Sequence, residues 1–144
     1  MSSILSVATS GMQAASTRLD VAASNIANSQ TMGPLPTSTA SSSNASTSGF
    51  PSAYVPLAVN QVDISNGSGP SGTLATAVPV SPSFVPVSDP SAPFADQNGL
   101  VAAPNIDPVN MLVQAAIAKY TFSANANVAK AADQMTKSLL DILS

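Results

Sequence analysis

The 144-residue chain has no cysteine, no histidine and no tryptophan, and its seven acidic residues are all aspartate. Without cysteine there is no disulfide, no thiolate nucleophile and no thiolate metal ligand. Without histidine, a Ser-His-Asp triad and His-based zinc sites are excluded as well. No lysine follows a serine by three positions, which removes the Ser-x-x-Lys arrangement. Charge is scarce at 8% of residues, one arginine and three lysines against the seven aspartates, for a net charge of −3. With no basic cluster, that balance argues against nucleic acid as a partner. Soluble domains carry about a quarter charged residues, so this surface points to burial in an assembly. Aromatics make up only 4%, and much of the apolar content is alanine and valine. The core is expected to be thin and to draw on neighbouring copies for stability. No stretch approaches the roughly 18 consecutive apolar residues of a membrane span. Met1-Ser2-Ser3-Ile4-Leu5 lacks the basic start and apolar core of a cleaved signal peptide. Passage out of the cytosol, if it occurs, is expected to leave the N-terminus intact.

What the chain does have is regular spacing at its two ends. Leu5, Met12, Leu19 and Ile26 recur every seven residues, with Ala8, Ala15 and Ala22 between them. Val128, Met135 and Ile142 repeat the pattern near the C-terminus, with Ile117, Ala124, Ala131 and Leu139 filling the turns. A seven-residue apolar repeat on a 3.6-residue helix makes a seam that another helix must cover. The first helix is expected from about Ser3 to Asn28, where Gly33-Pro34 ends any continuation. The second is expected to start at Asp107-Pro108, a capping carboxylate followed by proline at the first helical position, and to run nearly to Ser144.

Between the helices, Thr37 to Ser48 is almost all Ser and Thr with Ala and Asn, a composition that cannot bury enough apolar surface to order itself. Short β-leaning pieces follow at Ala53–Val55, Leu57–Val59, Gln61–Ile64, Thr73–Val80 and Ser83–Val87, with Asn66-Gly67 and Gly69-Pro70 as a hairpin-like turn. Pro56, Pro79, Pro82 and Pro86 restrict them to edges or short pieces. The expected fold is mainly α: long N- and C-terminal helices packed as a coiled-coil-like hairpin, with a small irregular β region and loops between. Its segments are the N-terminal helix over 1–31, a Ser/Thr-rich loop over 32–52, a β-rich excursion over 53–103 and the C-terminal helix over 104–144.

The terminal motifs carry a resemblance. Ala23-Ser24-Asn25-Ile26-Ala27-Asn28-Ser29-Gln30-Thr31 is similar to the N-terminal signature of bacterial flagellar rod, hook and hook-associated proteins, and Gly11-Met12-Gln13-Ala14 with Arg18-Leu19 to their first helix. Pro104-Asn105-Ile106-Asp107, Phe122-Ser123-Ala124-Asn125 and the stretch from Met135 to Leu143 resemble their last helix. Within that family the short length resembles the small rod proteins. The resemblance implies a structural subunit, not an enzyme, that needs no cofactor and polymerises helically in the flagellar basal-body rod. It implies copies of itself, other rod proteins and the type III export apparatus as partners, and a final place in the periplasm.

The residues expected to carry assembly are Leu5, Met12, Leu19, Ile26, Asn25, Asn28, Ile117, Phe122, Asn125, Val128, Met135, Leu139 and Ile142. The seams have two classes of partner, the chain's own other helix and those of adjacent subunits. Asn25 and Asn28 either finish the first helix, as Asn often does, or bridge to the backbone of a neighbouring subunit. Asp96-Gln97-Asn98-Gly99 has a faint look of a cation loop but lacks the ligand run and terminal Glu of a calcium site, so a plain turn is favoured. Asp89 and Asp96 form a conceivable catalytic pair, with nothing in the sequence to place them in a pocket. A secreted helical binding module that never polymerises is the reading from a different class.

Overall fold

The computed structural model describes residues 2–36, 49–65 and 70–143, the side chains of 2, 70, 142 and 143 excepted. The Ser/Thr-rich run from Thr37 to Ser48 and the Asn66-Gly67 turn lie outside the described residues. Helix α1 spans Ser2–Ala27 and helix α2 spans Pro108–Leu143, 26 and 36 residues long. Both end where backbone chemistry dictates: α1 before Gly33-Pro34, while α2 opens on Pro108, whose missing N–H costs nothing at a first helical position.

Between them lie β1 (Leu57–Ser65), β2 (Pro70–Pro79), β3 (Phe84–Ser88) and β4 (Leu100–Pro104). They form two two-stranded sheets, β1 with β2 and β3 with β4. The expectation of a mainly α hairpin is therefore corrected: strands of 9, 10, 5 and 5 residues make this a mixed α/β protein. Proline misled the reading. Every strand of a two-stranded sheet is an edge, so proline does not confine strands to fragments. Pro86 sits opposite Ala102 in the antiparallel β3–β4 register. The N–H and C=O of Ala102 are both turned to Gly33, at 2.9 and 3.0 Å, so Pro86 faces a position that asks nothing of its missing N–H. The pieces expected at Leu57–Val59 and Gln61–Ile64 are one continuous strand, β1.

The chain divides into two compact units. The first comprises 1–23, 59–78 and 109–144, and its buried apolar residues are Ala8, Ala14, Ala15, Val21, Ala22, Ala118 and Ala132. Small side chains on both helices allow close backbone approach. A Cβ placed on Gly11 would lie 2.6 Å from the Asn125 side chain, so α1 and α2 touch there across a missing methyl. The β1–β2 pair is tied to α1 by the Thr73 N–H on Ser10 Oγ (3.2 Å) and by Arg18 donating to Gln61 Oε1 (2.6 Å). The second unit comprises 24–58 and 79–108. Its interior is β4, with Val101 fully buried and Ala102, Ala103 and Pro104 buried beside it.

Candidate functional site

In the second unit, Asn25 is 1% exposed, the only buried polar or charged residue among those described. Its Nδ2 donates to the Leu57 carbonyl at 2.7 Å, and its Oδ1 accepts the Leu57 N–H at 3.0 Å and the Tyr54 hydroxyl at 3.1 Å. A side-chain amide has one donor edge and one acceptor edge, as a peptide group does. Asn25 therefore completes the backbone of Leu57 at the start of β1 as a neighbouring strand would. Tyr54 shares its hydroxyl with Ser24 Oγ (3.1 Å) and gives its N–H to the Thr31 carbonyl (3.0 Å). Asn28 donates to the Ser24 carbonyl at 2.9 Å, one turn back, and so finishes α1. Within this chain the backbone that the Asn25 amide meets is that of Leu57. Tyr54 and Leu57 were not anticipated as its partners, and a tyrosine between Pro51 and Pro56 was the signal available.

The loop after Asp89 uses carboxylates as turn formers. Asp89 Oδ1 accepts the Ser91 hydroxyl at 2.6 Å. Asp96 Oδ1 accepts the N–H groups of Asn98 and Leu100, both at 2.8 Å. The Leu100 N–H first, then the Asn98 groups, hold the Asp96 carboxyl below its ordinary range. Asp96-Gln97-Asn98-Gly99 is a plain turn whose Gly99 takes φ +72°. Neither aspartate lines a described cavity, and no group of three metal-binding side chains occurs among the described residues.

In the first unit, an open groove of about 630 Å³ is lined by Arg18, Gln61, Asp63, Thr73, Thr121 and Asn125 over small apolar residues of α1. Amides, hydroxyls and one charge of each sign give this lining hydrogen-bonding groups and shape.

The surface with the strongest character is on α2. Its covered face runs through Met111, Ala115, Ala118, Asn125, Ala129 and Ala132. Ile117, Val128, Met135 and Leu139 lie about 100° around the helix from that face, and they are between 43 and 50% exposed. Lys119, Lys130 and Lys137 fall on the other side, with Lys137 paired to Asp133 at 2.7 Å. From Asp133 to Asp141 every residue is exposed, so α2 runs on beyond its own chain's cover. On α1, Leu5 (39%) and Leu19 (43%) are exposed, while Met12 and Ile26 are half-buried. Phe122 is 47% exposed and Asn125 half-buried against Gly11. Ile142 lies in α2 with its side chain outside the described residues. The structure brings Asn125 to α1 and Asn25 to β1, and leaves the large aliphatic residues of α2 open.

Two family models match the chain: that of the flagella basal body rod protein over residues 5–34, and that of the flagellar basal body rod FlgEFG protein C-terminal over residues 97–142. Together they span more than half of the 144 residues, in the order and at the ends where the motifs lie. The chain belongs to the flagellar basal body rod protein family. No curated protein sequence matches it. Membership in a rod family makes this a structural protein of the flagellar basal body rather than an enzyme, with other rod proteins as its class of partner. The first match includes Asn25 and Asn28, and the second includes the exposed stripe of α2 from Ile117 to Leu139. No helix among the described residues is long and apolar enough to cross a membrane.

Proposed function

We propose that this rod-family protein is a subunit of the flagellar rod that polymerises helically through its terminal helices, transmitting torque and enclosing the export channel. One observation carries the reading. The helically spaced stripe Ile117, Val128, Met135 and Leu139 is left half-exposed on α2, and with 8% charged residues the chain has little charge to keep it apart from its neighbours. Fully burying such a side chain contributes roughly 1.5–3 kcal/mol, about half of which remains to be gained at these half-exposed positions. Contact between unlike surfaces on successive copies propagates without closing, which builds a filament. Within the family, the Asp96-Gln97-Asn98-Gly99 turn ahead of Pro104-Asn105-Ile106-Asp107 favours a proximal rod subunit of the FlgC type. Export through the type III apparatus without cleavage, followed by assembly in the periplasm, completes the reading.

The absence of native cysteine allows a clean test. Met135→Cys, placed in cells that lack the native chain, is expected to support rod assembly. In purified basal bodies it should resist maleimide, whereas the same cysteine in the isolated chain should label freely. Labelling of Cys at this position in intact rods as fast as in the isolated chain would remove the stripe from the interface.

A further inference from the structure

We propose that Asn98 is a latent deamidation site that the Asp96 turn holds shut in the folded protein. Asn followed by Gly is the dipeptide most prone to cyclise, because glycine leaves the following amide nitrogen unshielded. In that step the Gly99 nitrogen attacks Asn98 Cγ, a new C–N bond forms, and the bond to the side-chain nitrogen breaks. Ammonia leaves carrying the Gly99 amide proton. Water then opens the succinimide at one carbonyl or the other, giving aspartate or isoaspartate, and no oxidant or reductant is required.

The fold ties down both reactants. The Gly99 N–H is donated to the Asp96 carbonyl at 3.0 Å, and the Gly99 carbonyl accepts the Asp89 N–H at 2.9 Å, so the attacking peptide is fixed on both sides. The Asn98 N–H is held on Asp96 Oδ1 at 2.8 Å, and its side-chain amide leans to Asp96 Oδ2 at 3.4 Å. Pro90 packs against Gly99 closely enough that a Cβ there would lie 3.0 Å from it. Cyclisation needs the Gly99 nitrogen to turn from the Asp96 carbonyl toward Asn98 Cγ, and that turn breaks this set of bonds. The unfolded chain carries no such restraint. The damage is then local: the product places a second carboxylate beside Asp96. Its isoaspartyl form adds a methylene to the main chain, so Asp96 Oδ1 no longer reaches both N–H groups ahead of β4.

The test is peptide mapping of the full chain, incubated at mildly alkaline pH with and without urea. Far-UV circular dichroism establishes the folded state. Asn66-Gly67, the same dipeptide elsewhere in the sequence, serves as the reference for unrestrained chemistry in urea. Conversion at Asn98 is expected to match the reference in urea and to be slower by about tenfold or more in the folded chain. Asp96→Ala should return the folded rate toward the urea value, while Asp96→Asn, which keeps the accepting oxygen, should hold it near wild type. Equal rates at Asn98 with and without urea, or an Asp96→Ala chain that reacts no faster than wild type, would overturn the proposal.

Discussion

The unit built from 1–23, 59–78 and 109–144 buries alanines and Val21, and leaves Ile117, Val128, Met135 and Leu139 outside. The unit built from 24–58 and 79–108 buries Val101, Pro56 and an asparagine, and satisfies that asparagine with bonds to the Leu57 backbone and Tyr54. The second partners its buried polar group fully, and the large apolar side chains it exposes, Phe50, Val55, Val85 and Val87, reach 46% at most against 74% in the first. The first holds its helices together through their smallest residues and presents its largest ones to whatever comes next. The difference separates two tasks: hydrogen bonds fix one unit as a shape, and apolar side chains on the other are free to be covered by other subunits.

The largest effect expected from breaking this contrast is in assembly. Met135→Asp puts a charge on an exposed position, so the isolated chain should lose less than about 1 kcal/mol. Under the proposed assembly the same charge would be buried without a partner, a cost of several kcal/mol. Motility plates and electron micrographs should show cells without complete rods, while chemical denaturation of the purified chain shows near-native stability. Normal swimming would break the comparison.

Asn25→Ala is expected to act the opposite way, through stability rather than the interface. It strips partners from the Leu57 N–H and carbonyl and from Tyr54, a loss of roughly 2–4 kcal/mol. Denaturant melts would read it, and an unchanged midpoint would show that water replaces the amide without penalty. Gly11→Leu comes next, at about 1–3 kcal/mol from overpacking against Asn125. Adding Asn125→Ala should recover part of that loss, and a strictly additive double mutant would deny the contact. Tyr54→Phe, which removes a single hydroxyl from the knot, should cost about 1 kcal/mol.

The smallest effect is with pH. The Asp96 carboxyl is held below its ordinary pKa by the N–H groups of Leu100 and Asn98. Its contribution is therefore fully present above the unfolded-state value and lost as pH falls through the lower folded-state one. Amide exchange at Leu100 should accelerate below the ordinary aspartate range in wild type and show no such step in Asp96→Asn.

The two helices were legible because seven-residue spacing survives any tertiary context, and Asp107-Pro108 marks a helix start unambiguously. Which seam the chain covers by itself was not legible. Alanine is too small to stand out in a pattern of apolar residues, yet Ala8, Ala15, Ala118 and Ala132 are the positions the chain buries. The sheets are longer than the sequence suggests because proline confines a strand to an edge without shortening it, and in a two-stranded sheet every strand is an edge. Asn25 was singled out by its motif, but its partner lies 32 residues on, at Leu57. Nothing local in a sequence reveals which backbone a side-chain amide will meet. The family was readable because its motifs sit at both ends in the right order.

The most direct measurement is electron cryomicroscopy of purified basal bodies, with this chain traced into the rod. The account predicts that Ile117, Val128, Met135 and Leu139 pack against neighbouring subunits, while the Ala8, Ala15, Ala118 and Ala132 face stays covered within each chain. A traced chain whose α2 stripe faces solvent, or a complete rod that does not contain the chain, would contradict it.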